Sequence, residues 1–159
     1  MLIKSATADS RHKLLWKWIR GAALNQTDLA DPTGSAEYAL CMDAGPTNAP
    51  IASAALPPGS SWRPIGATGH KFKGASPDGM SLALLRAAPR GKSKALVEGE
   101  GAALRDPTLP LSYPVTVQLK KNGSSLCVES TFTSTDEKKS TATQFQGQAV
   151  GLPHQHRVR

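Results

Sequence analysis

Apolar and polar residues alternate with a period of two through much of this chain, and the alternation is cleanest between residues 113 and 132. Asn122-Gly123 lies at the middle of that stretch and suits a two-residue type I′ turn, whose central positions both need φ > 0. A turn placed there sets Leu119 against Leu126, Val117 against Val128 and Tyr113 against Phe132, with Gln118 and Cys127, and Thr116 and Glu129, on the other side. A slip of one residue would set apolar against polar along the whole ladder. The sequence therefore predicts a β-hairpin with one buried face.

The same period recurs elsewhere. In residues 13–20, Leu14, Trp16 and Trp18 share one face while Leu15, Lys17 and Ile19 share the other. As a helix this stretch would be a basic amphipathic turn of the kind found at membrane surfaces. It is too short to stand alone as a helix, so it is read as a strand ended by Gly21, with both tryptophans in the core. Residues 25–35 are loop-like around Asp31-Pro32. Their Asp28 and Asp31 lack the spacing and closing Glu of a calcium loop. Residues 36–43 alternate, with Tyr38, Leu40 and Met42 facing inward and Cys41 on the charged side. Short strands follow at 51–56, 62–65 and 69–73, and Pro64 restricts its strand to a sheet edge. After the Ser76-Pro77-Asp78-Gly79 turn, Met80, Leu82 and Leu84 are expected to re-enter the core. Residues 87–108 are the loosest part, with a brief strand at 95–97. Residues 133–139 form a polar turn, and 141–150 a last strand with Phe145 inward.

Eight or nine short strands at spacings of about ten residues, with no convincing helix, predict an all-β fold. An antiparallel β-sandwich comes first and a flattened barrel second. The 159 residues suit one domain. The expected organisation is a flexible N-terminal tail over 1–11, a sandwich over 12–150 and a basic tail over 151–159. Gly (14) and Pro (12) are plentiful and charged residues make up 19%, which favours strands and turns over helices.

The formal charge is +7, of which residues 1–21 carry +4, the last six +2 and residues 22–153 only +1. The excess thus sits at the ends of the chain, which argues against nucleic acid as a partner of the body. Catalytic motifs are missing: His12, His70, His154 and His156 are scattered, His70 reads as an exposed edge or loop residue, and Gly99-Glu100-Gly101 lacks the ending of a phosphate loop. The chain is read as a non-enzyme with no cofactor and no metal. Trp62 and Arg63, in a loop-like Ser-Ser-Trp-Arg-Pro context, are the candidate ligand surface for a carbohydrate or another surface protein. The competing reading has Trp62 plugging one end of the sandwich. Cys41 and Cys127 are either a disulfide or two unrelated thiols. No run reaches the length of a membrane span, and Met1–Ala6 offers no apolar core for a signal peptide.

Several segments together resemble an uncharacterised β-rich domain that recurs near the C-terminal end of predicted secreted or cell-surface bacterial proteins. They are Leu14-Leu15-Trp16-Lys17-Trp18-Ile19-Arg20-Gly21-Ala22-Ala23-Leu24, Asp31-Pro32-Thr33-Gly34, Tyr38-Ala39-Leu40-Cys41, Trp62-Arg63-Pro64, Gly69-His70-Lys71-Phe72-Lys73 and Tyr113-Pro114-Val115-Thr116-Val117-Gln118-Leu119 with Ser125-Leu126-Cys127. The resemblance implies an extracellular, non-catalytic module, either a spacer or an adhesion or ligand-binding domain, and it tilts Cys41 and Cys127 toward a bridge. The alternative is a small basic protein that binds a polyanion through its charged termini.

Overall fold

A computed structural model describes residues 1–5 and 11–149. Twelve strands among the described residues form two antiparallel sheets packed face to face. In chain order they are β1 (Leu2–Lys4), β2 (Lys13–Gly21), β3 (Tyr38–Ala44), β4 (Ala49–Leu56), β5 (Trp62–Ile65), β6 (Gly69–Lys73), β7 (Met80–Arg86), β8 (Ser93–Glu100), β9 (Val115–Lys121), β10 (Cys127–Phe132), β11 (Glu137–Ser140) and β12 (Gln144–Gly147). The larger sheet has eight strands in the order β11-β12-β1-β2-β8-β7-β6-β5, and the smaller has four, β10-β9-β3-β4. Neither closes on itself, so the fold is a sandwich and the barrel alternative falls away.

Between the sheets lies one continuous interior. Trp16, Phe72, Phe145, Ile3 and Val97 from the large sheet meet Tyr38, Leu40, Met42 and Leu119 from the small one, all fully buried. Burying such side chains stabilises by about 1.5–3 kcal/mol each, and it is this interior that sets which way every strand faces. A four-residue helix, α1 (Gln26–Leu29), closes one end. Asn25 and Asp28 form its capping box, and the Tyr38 hydroxyl donates to the Leu29 carbonyl at 2.6 Å. The Asp78 carboxylate, in the β6–β7 connection, accepts from the Ala55 N–H on edge strand β4 at 2.8 Å, which ties the two sheets together.

The β9–β10 hairpin has the expected faces but not the expected register. Leu119 lies opposite Val128, and Val117 opposite Ser130, a shift of two residues from the two-residue turn. The cause is local. Asn122 continues the β3 ladder, its N–H donating to the Glu37 carbonyl at 2.9 Å and its Nδ2 to the Glu37 carboxylate at 2.8 Å. The reversal is therefore made over four residues, with Gly123 at φ +69 and the Lys121 N–H closing onto the Leu126 carbonyl at 3.0 Å. A shift of two keeps every side chain on its own face. Val115, Val117, Leu119, Val128 and Phe132 are buried, and Gln118 pairs with Glu129 at 2.8 Å on the outside.

Three other expectations change. Residues 2–4 are not tail: Ile3 is fully buried between β2 and β12 because its strand completes their ladders. The supposedly loose 87–108 contains β8, which sits between β2 and β7. Leu82 and Leu84 face outward, because a bulge between Met80 and Leu82 flips the alternation and turns Ala83 and Leu85 inward. The tail expected at 151–159 lies outside the described residues. Pro64 does lie on an edge strand, β5.

Gly21 closes the bulge at the end of β2, where a Cβ would fall 1.8 Å from the Trp18 ring. Gly21→Ala therefore has to displace a core tryptophan. A loss of about 1–3 kcal/mol is expected, read as a lowered urea midpoint. An unchanged midpoint would show that Trp18 does not pack there.

Candidate functional site

Because the inward positions of β2 are Leu14, Trp16 and Trp18, the outward ones are Lys13, Leu15, Lys17 and Ile19. The ladder carries this parity across the large sheet. Lys17 stands beside Leu96, Leu96 beside Leu84, Leu84 beside Lys71 and Lys71 beside Arg63. One row toward the end of the sheet, Lys94 lies opposite Arg86, Arg86 opposite Gly69 and Gly69 opposite Ile65. Adding Lys4 and Lys73, the outer positions of β1, β2 and β5–β8 carry eight cations, Lys4, Lys13, Lys17, Arg63, Lys71, Lys73, Arg86 and Lys94, against two carboxylates, Glu98 and Glu100. The small sheet is different: Ala39, Cys41, Asp43, Thr116, Gln118, Lys120, Cys127 and Glu129 face outward there, with one cation against two carboxylates.

Three cross-strand pairs on the large sheet join like charges directly: Lys4 with Lys13, Arg63 with Lys71 and Arg86 with Lys94. Such pairs are destabilising. Among the described residues no carboxylate comes within ion-pair distance of any of the eight cations. At the end of this face the β2 bulge, with Arg20 held at φ +58, opens beside the β7–β8 connection. A cleft of about 720 Å³ lies there, lined by Ile19, Arg20, Thr68, Arg86, Lys92 and Lys94 and by no acidic side chain. A left-handed non-glycine residue costs of order 1–3 kcal/mol and is kept where the surroundings impose it.

The sites expected from sequence fare differently. Trp62 is no ligand platform. It is buried between Tyr38 and Phe72, with ring centroids at 5.8 and 5.4 Å, and its Nε1 donates to the Pro57 carbonyl at 2.9 Å. Strand β5 turns it inward, which leaves Arg63 alone exposed. Cys41 and Cys127 are free thiols on the outer face of the small sheet. Strand β9 separates β3 from β10, so two strand spacings of about 4.8 Å lie between their backbones, beyond the reach of about 7 Å that a bridge allows. Burial, with Glu129 beside it, pushes the Cys127 thiol up to about 11, and burial raises Cys41 as well.

A cluster that sequence reasoning missed joins Ser5, Asp106 and His12. The Ser5 hydroxyl donates to Asp106 Oδ2, and His12 Nδ1 lies 2.7 Å from Asp106 Oδ1. The carboxylate, not the imidazole, holds the serine, which is not the order of a nucleophile–histidine–acid triad. The cluster pins the 101–112 connection to the start of the domain. His154 and His156 lie outside the described residues, and among the described residues no three His, Cys, Asp or Glu side chains form a metal-binding group.

His70 is not an exposed histidine either; it shares the inner face of β6 with Phe72 and is buried, its Nε2 4.0 Å from Asp31 Oδ1. Burial holds its pKa below the ordinary imidazole range, with Asp31 partly opposing. Comparisons with models of protein families, with curated proteins and with solved structures find no match.

The His70 shift has a consequence for acid stability. Folding favours the neutral ring, so the unfolded chain binds the extra proton and stability falls as the pH drops through about 6.5. The urea midpoint should decline as the pH falls below about 6.5, and His70→Asn should reduce that decline. A wild-type midpoint that rises toward acid would contradict the assignment.

Proposed function

We propose that this protein is a non-catalytic β-sandwich binding module, of the exported kind its sequence resembles, and that it engages an anionic partner through the outer face of its eight-stranded sheet. The observation that carries this reading is the set of three like-charge cross-strand pairs, Lys4 with Lys13, Arg63 with Lys71 and Arg86 with Lys94. Of these six cations Lys13 also stands opposite a carboxylate, Glu100; the other five have none across the ladder, where a fold that only had to be stable would set one. A partner rich in phosphate, sulfate or carboxylate groups relieves that repulsion as it binds.

The reading differs from the sequence alternative in where the contact is made. Of the basic residues counted at the N-terminal end of the chain, Lys4, Lys13 and Lys17 belong to the sheet. Sugar stacking on Trp62 is set aside because that ring is buried. The non-catalytic character is supported by the order of the Ser5–Asp106–His12 cluster, in which the serine is bonded to the acid.

Retention on immobilised heparin, a generic polyanion, tests the face. The wild-type chain should be retained at low salt and released as salt screens the contacts. Lys17→Glu with Lys71→Glu should weaken retention at least about tenfold, whereas Lys120→Glu on the small sheet should change it little. Equal losses for both variants, or no retention of the wild type, would count against the proposal.

A further inference from the structure

The large exposed apolar side chains among the described residues are Ile19, at 60% relative exposure, and Ile65, at 42%. They belong to the same end row of the large sheet. Ile19 follows Trp18, which pairs with Ala95, and at the opening of the β2 bulge it lines the same cleft as Lys94, from which the row runs through Arg86 and Gly69 to Ile65. Four strand spacings separate the two isoleucines, about 19 Å at 4.8 Å each. Between and below them lie Lys94, Arg86 and the cleft with Arg20 and Lys92. Three chain segments meet at this end of the sandwich: the β2 bulge, the exposed 66–68 turn after Ile65 and the exposed 89–92 connection with Arg90 and Lys92.

We infer that the anionic partner is a phospholipid surface, and that this end row is the edge that sits on it. The inference rests on the reading given under Proposed function and names its ligand. A bilayer surface supplies both things the row presents a demand for. Phosphates lie at the headgroup level for the cations, and an apolar boundary just beneath takes the two isoleucines. Other polyanions supply only the first. A hydrated sulfated polysaccharide gives an isoleucine nothing apolar to enter. Single-stranded nucleic acid is held by aromatic side chains under its bases, and none of the outward positions of β1, β2 and β5–β8 is aromatic. The half-buried Leu15, Leu82, Leu84 and Leu96 lie farther up the face, where neighbouring lysine stems can cover apolar surface.

Co-sedimentation with vesicles decides the matter. The full chain should partition onto vesicles of phosphatidylcholine containing phosphatidylserine, should stay in solution with phosphatidylcholine alone, and should be released by high salt. Ile19→Ser with Ile65→Ser should lower that partition at least about tenfold while leaving heparin retention unchanged. Both positions are exposed, and an unaltered thermal melt would confirm that the doubly substituted chain is folded. Arg86→Glu with Lys94→Glu should weaken both readouts. If the wild type is retained on heparin but ignores phosphatidylserine vesicles, or binds them equally well without the isoleucines, the lipid assignment is overturned and the broader anionic reading stands. If it binds neither, both fall.

Discussion

The structure depends on one constraint: each strand has only two faces, and a single apolar interior claims one of them. Trp16 and Trp18 on β2 bind that strand to the interior, with Gly21 making room for the second ring. Once those side chains point inward, Lys13, Lys17 and Ile19 have no other direction to take. The same holds across β8, β7, β6 and β5, whose inward residues include Val97, Leu85, Phe72 and Trp62. The cationic face is thus a geometrical consequence of the core. It is also a cost, since like charges carried on facing positions, whose Cβ atoms lie about 5 Å apart across a ladder, repel one another. Salt screens part of this. Glu100 stands opposite Lys13, but no carboxylate among the described residues lies within ion-pair distance of the eight cations.

The asymmetry between the two sheets gives the face its meaning. The small sheet pairs Gln118 with Glu129 and Thr116 with Thr131 on its outer side, a hydrated surface with neutral or complementary contacts. The large sheet sets lysine against lysine and arginine against lysine. Both surfaces are built by one chain under one folding requirement, so that requirement alone does not account for the difference. The two free thiols lie on the small sheet, away from the cationic face.

Much of the fold could be read in the sequence, and the reasons for the misses are physical. Strands with large inward residues, β2, β3, β9 and β10, announce themselves by alternation. Strand β8 does not, because its inward residues are Ser93, Ala95, Val97 and Gly99, small enough to fit against the rings of β2 but too small to give a strong hydrophobic signal. The hairpin register slipped by two because Asn122 is engaged by Glu37, a residue 85 positions away in the chain. The bulge at Met80–Leu82 reversed a parity that simple alternation would extend. The cationic face was the least legible. Summing charge by region cut the chain at Gly21 and assigned Lys13 and Lys17 to a terminus, whereas their neighbours across the ladder are Glu100 and Leu96. Trp62 looked exposed from its local context, and only the β5–β6 pairing with Phe72 reveals that it faces inward.

The most direct test of a one-faced cationic surface is lysine acetylation footprinting, mapped by mass spectrometry with and without heparin bound. Lys17, Lys71 and Lys94 should lose reactivity together when heparin is present, while Lys120 on the opposite sheet keeps its own. Uniform protection of all four, or protection of Lys120 alone, would contradict the assignment of function to that face.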